Sequence, residues 1–252
     1  MMDLDISERL IPVRNKIDKF VKEKVDPLTD EFQNLVGADG DRWSLSARQV
    51  EIMDGLKAEA KTAGLWNFFL PESQGGAGVS NLEYAHLAEV MARNPIASEV
   101  FNCAAPDTGN MEVIERFGSE EQKKEWLEPL LEGKIRSAFA MTEPDVASSD
   151  ATNIATRAVL DGDEWVLNGE KIYVTDGDRC DCVVVWATLN KDMGKTAIRS
   201  FIVEKGTPGF TVARLEKKLG IRASDTATLI FDNCRIPRAN LLGGKEEIET
   251  DI

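Results

Sequence analysis

The chain has 252 residues, long for one domain and enough for two. Its 30 Lys and Arg against 44 Asp and Glu leave a formal net charge of −14, with no basic stripe to attract nucleic acid. At 42% hydrophobic it is too apolar for a disordered chain, yet no window nears the roughly 18 apolar residues that span a bilayer.

His86 is the single histidine, which excludes His-rich metal cages and His-pair relays. Its helical apolar neighbours predict a satisfied histidine, not a catalyst. Cys103, Cys180, Cys182 and Cys234 form no C-x-x-C pair, and Met1 to Asp5 has neither the charge nor the apolar stretch of a signal peptide. Unpaired cysteines without a leader point to a reducing cytoplasm.

From the start to about residue 134 the apolar spacing is helical. Leu10, Ile17, Phe20, Val21 and Val25 predict a helix ended by Pro27. Ser46-x-x-Gln49 opens a second, with Gly64 as its stop, and Ser80-x-x-Glu83 opens a third that runs to Pro95. The apolar connector from Leu65 to Pro71 and the Gln74–Gly78 loop lie between them; that loop lacks the Lys-Ser/Thr of a phosphate-binding P-loop. A fourth helix is expected near Asn110–Phe117, and Ser119-x-x-Gln122 opens a fifth that carries Trp126, Leu127 and Leu130. Trp66 and Trp126 read as core.

After Arg136 short β-runs follow with turns between them. About eight are predicted: 137–142, 154–160, 165–167, 171–175, 182–189, 201–204, 210–214 and 226–231. Asp161-Gly162-Asp163 marks a hairpin. Residues 1–134 carry net −10 and the rest −4. The expected fold class is α+β: an all-α domain over 1–134, a β-barrel-like domain over 135–244 and the start of a linker over 245–252.

Four segments lie in fixed order after the helices. They are Phe139-Ala-Met141-Thr142-Glu143-Pro144 with its run to Asp150, Leu167-Asn-Gly-Glu-Lys171-Ile-Tyr173-Val174-Thr175-Asp176-Gly177, Lys218-Leu-Gly-Ile-Arg-Ala-Ser224-Asp225-Thr226, and Arg235-Ile-Pro-Arg238-Ala-Asn-Leu241-Leu242-Gly243. Together they resemble the flavin-dependent acyl-CoA dehydrogenase family over nearly the whole chain. The wording is most similar to a branch found in bacteria and as the dehydrogenase part of larger animal proteins.

The resemblance implies FAD as cofactor and an acyl-CoA thioester as substrate. An α-proton and a β-hydride are removed to give a trans-2-enoyl-CoA, and an electron-transfer flavoprotein reoxidises the flavin. The complete protein would be a homodimer or homotetramer. Phe139, Met141, Thr142, Ser148, Tyr173, Val174 and Thr175 match the family's cofactor-binding positions, with Ser148 also able to reach substrate. Thr142 and Thr175 should therefore share one rim of the β-domain; outside the ordered set they would read as ordinary strand threonines. Tyr173, Asp176 and Ala147 stand where the family commonly has Trp, Asn and Gly.

The resemblance fades near Gly244, where a C-terminal helical domain is expected to follow and to bring the catalytic base. No catalytic residue is assigned within 1–252, and these residues by themselves are expected to hold FAD weakly at best. Two alternatives remain open: a non-catalytic subunit of a heteromeric complex, and a flavin monooxygenase or oxidase on the same scaffold.

Overall fold

The structure, a computed structural model, describes residues 4–36, 45–70, 78–145 and 150–248. Contacts divide the chain into two compact units: 1–108 with 218–223, and 109–217 with 224–252. Among the described residues no helix is long and apolar enough to cross a membrane.

In the first unit α1 (Ile11–Phe20) does not stop at Pro27. Val21–Val25 winds as a wider π turn, and α2 (Asp26–Asn34) continues with Pro27 in its first turn. A proline mid-helix lacks a donor and crowds the carbonyl one turn back. The π turn absorbs that conflict, so the helix goes on. The helix predicted from Ser46 is α3 (Ala47–Thr62). Its capping box is complete, with Ser46 N–H donating to Gln49 Oε1 at 2.9 Å and Gln49 N–H to Ser46 Oγ at 3.4 Å. Gly64 takes φ +70°, and the Leu65 amide bonds back to the Ala60 carbonyl, closing the helix end.

The helix from Ser80 is α4 (Asn81–Met91), and its cap residue Glu83 carries a second duty. Its carboxylate also accepts from Ser7 Oγ and Arg9 Nη2, and the Ser7 bond above all holds it down to about 2. His86 Nε2 lies 3.0 Å from the Leu4 carbonyl, as a satisfied histidine should. A short α5 (Ala97–Val100) was not foreseen. Ile17, Phe20, Val25, Phe32, Leu56, Leu87 and Phe101 fill the core between these helices, and Trp66 stays half-buried beneath the Lys61 ammonium.

The second unit begins in α6 (Asp107–Phe117), which starts three residues earlier than expected. Then α7 (Glu120–Gln122), a π turn over Lys123–Leu127 and α8 (Glu128–Leu131) form one run, again with the π turn ahead of a proline, Pro129. The strands are β1 (Ser137–Ala140), β2 (Arg157–Asp161), β3 (Glu164–Thr175), β4 (Cys182–Thr188), β5 (Ile198–Glu204), β6 (Phe210–Leu215) and β7 (Thr226–Pro237). Among the described residues the strands number seven, not eight, because the runs 165–167 and 171–175 belong to one bulged strand, β3.

The order is β1-β4-β2-β3-β7-β6, with β5 on the far edge of β4, and the sheet curls as a half-barrel. Ala138, Ala140, Trp165, Leu167, Val185, Phe201, Leu229 and Phe231 pack inside the curl. Central β4 is buried along nearly all of Cys182–Thr188, as a strand covered on both faces requires. Gln122 ties the helical run to the sheet, its amide donating to the carbonyls of Ala239 and Leu241 at 2.6 and 3.1 Å.

Parallel strands β1 and β2 lie end to end along one edge of β4, β1 against Cys182–Val185 and β2 reaching Thr188. β1 ends at Ala140 and β2 begins at Arg157, and Glu143 ties the residues after the one to those before the other. Its carboxylate accepts from the amides of Ala155 and Thr156 at 2.7 and 2.8 Å, from Thr156 Oγ1 at 2.5 Å and from Lys171 Nζ at 2.8 Å. Lys171 is fully buried and donates also to the Met141 carbonyl. Gly169 passes so close that a Cβ there would sit 2.4 Å from Thr156 Oγ1.

Removing one partner of a buried pair leaves the other charge unopposed. Lys171→Met should cost about 3–5 kcal/mol in urea unfolding, and Glu143→Gln in that background, which removes the unopposed charge but keeps an oxygen for the Ala155 and Thr156 amides, should recover part of it. Burial alone would raise Glu143, but Lys171 and Thr156 hold it below the usual carboxylate range. A depressed carboxyl stabilises above its unfolded value and loses that contribution as pH falls through the folded one. Wild type should therefore lose more stability below about pH 4 than Glu143→Gln does. Gly169→Ala should destabilise by about 1–3 kcal/mol in the same measurement, because the added Cβ would meet Thr156 Oγ1, Cβ and Cα.

Candidate functional site

Strand alternation sorts the matched residues by face. On β1, Ala138 and Ala140 enter the core, so Phe139 points the other way and is 36% exposed. Its ring meets Trp186 of β4, with centroids 6.1 Å apart. Trp186 Nε1 is buried and has no hydrogen-bond partner among the described residues. Met141 and Thr142 follow β1 and are half-buried.

The two motifs meet although about 30 positions separate them. The Ile172 amide donates to the Thr142 carbonyl at 2.9 Å, beside the Lys171 bond to Met141. Thr142 thus runs along the part of β3 that leads to Tyr173 and Thr175. A bulge between Lys171 and Val174 places Tyr173 in the left-handed region, φ +56°, with 65% of its surface exposed. Val174 turns into the core at 1% exposure, so it offers this edge only its main chain, while Thr175 is half-buried. Ser148 lies outside the described residues, as do Ala147 and most of the Gln74–Gly78 loop.

Beyond Thr175 the chain reverses through charged residues. Asp176, 1% exposed, takes φ +57° and accepts from Arg136 Nη2 at 2.5 Å. Asp225 receives the Asp178 amide at 2.9 Å and is raised by burial, with Asp176 close by adding to the rise. Cys180, beneath this turn, is pushed up to about 12 by burial and makes no reactive thiolate. No disulfide joins the four cysteines, and all are buried.

Lys171, Trp186, Arg136 and Asp225 carry no role in the sequence reading. Lys171 opens the predicted run 171–175 with nothing in its sequence to mark it as buried; the fold sets its head against Glu143. Glu143 itself accepts from four donors at 5% exposure and, against the rise that burial brings, is held below the usual carboxylate range by Lys171 and Thr156, which makes it a poor base for a substrate proton.

The family described as acyl-CoA dehydrogenase, N-terminal domain, matches residues 7–134, and that described as acyl-CoA dehydrogenase, middle domain, matches 138–234. The acyl-CoA dehydrogenase FadE2 of Mycobacterium tuberculosis is 40% identical over 247 residues, covering 96% of this chain and 59% of its own. Acyl-CoA dehydrogenase family member 10 of Mus musculus is 43% identical over 236 residues, covering 90% of this chain and 22% of its own. A solved acyl-CoA dehydrogenase from Mycobacterium abscessus has a TM-score of 0.85 at 42% identity, covering 95% of this chain and 61% of that one. A glutaryl-CoA dehydrogenase from Mycobacterium smegmatis, solved with FADH2, has a TM-score of 0.72 at 29% identity, covering 94% of this chain and 55% of that one. The chain spans at most 61% of the length of these relatives. With both domain families matched in the order that the helices and the sheet follow, the chain belongs to the acyl-CoA dehydrogenase family.

Proposed function

We propose that the chain forms the N-terminal and middle domains, 1–134 and 135–244, of a flavoprotein that oxidises an acyl-CoA thioester to the trans-2-enoyl-CoA. FAD is its cofactor, an electron-transfer flavoprotein its acceptor, the cytoplasm its compartment and a homodimer or homotetramer its complete form. The observation that supports this reading is the bond from the Ile172 amide to the Thr142 carbonyl, which sets the segment holding Phe139 and Thr142 beside the one holding Tyr173 and Thr175.

Those residues fit a flat heteroaromatic group with a polar rim. Tyr173 and Phe139 supply apolar ring surface, and Thr142 and Thr175 supply hydroxyls. The buried Trp186 Nε1–H next to Phe139 is a donor still lacking an acceptor. Bound FAD would accept the hydride; the protein's contribution is to hold and orient it. Thr142 and Thr175 would hydrogen-bond its rim, Tyr173 would cover its face, and Ser148 would reach FAD or CoA phosphate. Glu143 ties the residues after β1 to those before β2 and takes no part in proton transfer. The base is assigned to residues following Ile252, as the family resemblance implies.

Titrating FAD with the purified protein should quench flavin fluorescence, weakly but saturably. Anaerobic incubation with FAD and a panel of acyl-CoAs should leave the flavin oxidised until the C-terminal portion of the FadE2 relative is joined to the chain. No quenching, or turnover by residues 1–252 alone, overturns the proposal. Tyr173→Gly separates the role of the ring from that of the backbone. It should relieve a left-handed side chain and stabilise the fold by about 1 kcal/mol. It should also weaken FAD binding by about two- to tenfold through lost ring contact. Movement of both quantities in the same direction would count against a cofactor-facing Tyr173.

A further inference from the structure

The reversal after Thr175 is held by charge from three separate stretches of chain. Arg136 immediately precedes β1, Asp176 follows β3, and Asp225 immediately precedes β7. The Asp176 amide donates to the Asp225 carbonyl at 3.0 Å. Its carboxylate accepts from Arg136 Nη2 at 2.5 Å, with Ser224 Oγ at 3.4 Å and Arg179 Nη1 at 3.8 Å. Arg136 is fixed in turn, its amide donating to Asp181 Oδ2 at 2.8 Å and its carbonyl accepting the Asp181 amide at 2.8 Å. The side chain of Arg136 is 12% exposed and that of Asp176 is 2%.

The ends joined here lead into the two motifs of the candidate site. Arg136 begins the strand that delivers Phe139, Met141 and Thr142; Asp176 ends the strand that carries Tyr173, Val174 and Thr175. An aspartate held left-handed with its carboxylate buried has lost both water and backbone freedom. It adopts that state because Arg136 and Arg179 oppose its charge and Asp225 accepts its amide hydrogen.

We propose that Arg136 and Asp176 are positioning residues for the cofactor edge: their ion pair sets the Tyr173–Gly177 backbone and hence the aim of the Tyr173 ring and the Thr175 hydroxyl. This rests on the reading of that edge as a flavin site, and neither residue touches the cofactor. Asp176 need not be charged for this role. Asparagine tolerates the left-handed conformation and keeps an oxygen for Arg136. Alanine keeps neither advantage.

Amide exchange in the protein without FAD tests the device directly. Arg136→Met and Asp176→Ala should speed exchange over Tyr173–Gly177 by about tenfold, with β4 and β5 unchanged, while Asp176→Asn should stay within about twofold of wild type. If Arg136→Met does not fold, Arg136→Met with Asp176→Asn, which leaves no carboxylate of that pair unopposed, carries the same comparison. In FAD titrations Arg136→Met and Asp176→Ala should bind about tenfold more weakly, with Asp176→Asn near wild type. Unchanged exchange in Arg136→Met, or Asp176→Ala matching Asp176→Asn, overturns the inference. A wild-type protein that binds no FAD overturns the flavin reading alone, since the exchange comparison is read without it. Normal FAD binding with unchanged exchange in both variants overturns the positioning role alone.

Discussion

The middle unit depends on a buried ion pair, Glu143 with Lys171. Two charges taken out of water cost free energy that their attraction offsets only if every remaining lone pair and proton is used. Here it is. Glu143 collects two amides, a hydroxyl and the ammonium, and Lys171 gives a further proton to Met141. Apolar residues could fill the same volume, but they would carry no directional bonds. The pair fixes which atoms lie together: the end of β1, the return of the chain at Thr156, and the middle of β3. Thr142 is carried to β3 by the same set of bonds.

This explains how the edge of β4 stays paired where β1 gives way to β2. A strand edge whose partner departs exposes main-chain donors and acceptors. On this edge β1 ends and β2 takes over along β4, with the Thr188 amide bonded to the Thr156 carbonyl where the chain returns. One carboxylate thus holds the residues after β1 against those before β2 while β4 stays paired. Pro144, which holds Glu143 out of the helical region, supports the same geometry from the sequence side.

The helical signals were largely legible because they are local. Ser46-x-x-Gln49, Ser80-x-x-Glu83 and Ser119-x-x-Gln122 are complete in the sequence, and each forms the reciprocal bonds that the pattern predicts. Pro27 misled because its usual effect, stopping a helix, has an alternative: a π turn ahead of it, which no local pattern announces. The strand runs were legible as well, but the continuity of β3 was not. Asn168 and Gly169 look like a turn, whereas they form a bulge whose glycine makes room for Thr156. Ordered motifs pointed to Phe139, Thr142, Tyr173 and Thr175. Nothing in them shows that Lys171 is buried, that Val174 faces inward, or that Arg136 reaches Asp176 across 40 positions, since each depends on register between distant strands.

The bulge between Lys171 and Val174 reconciles two demands on one strand. Residues three apart on a regular strand face opposite sides, yet both Lys171 and Val174 are buried, one against Glu143 and one in the core. An inserted residue is the only way to bring both inward, and the insertion is Tyr173, held left-handed at φ +56°. Such a conformation is unfavourable for an aromatic residue, by about 1–3 kcal/mol, and persists only where its surroundings impose it. Here they impose it from both sides: the Glu143–Lys171 pair fixes the strand before the bulge, and the Arg136–Asp176 pair fixes the reversal after it. The ring is exposed as a direct consequence, because the residue left over when its neighbours turn inward must point out. The constraint that buries a lysine is therefore the constraint that presents Tyr173, with Thr175 following two residues later on the outward side.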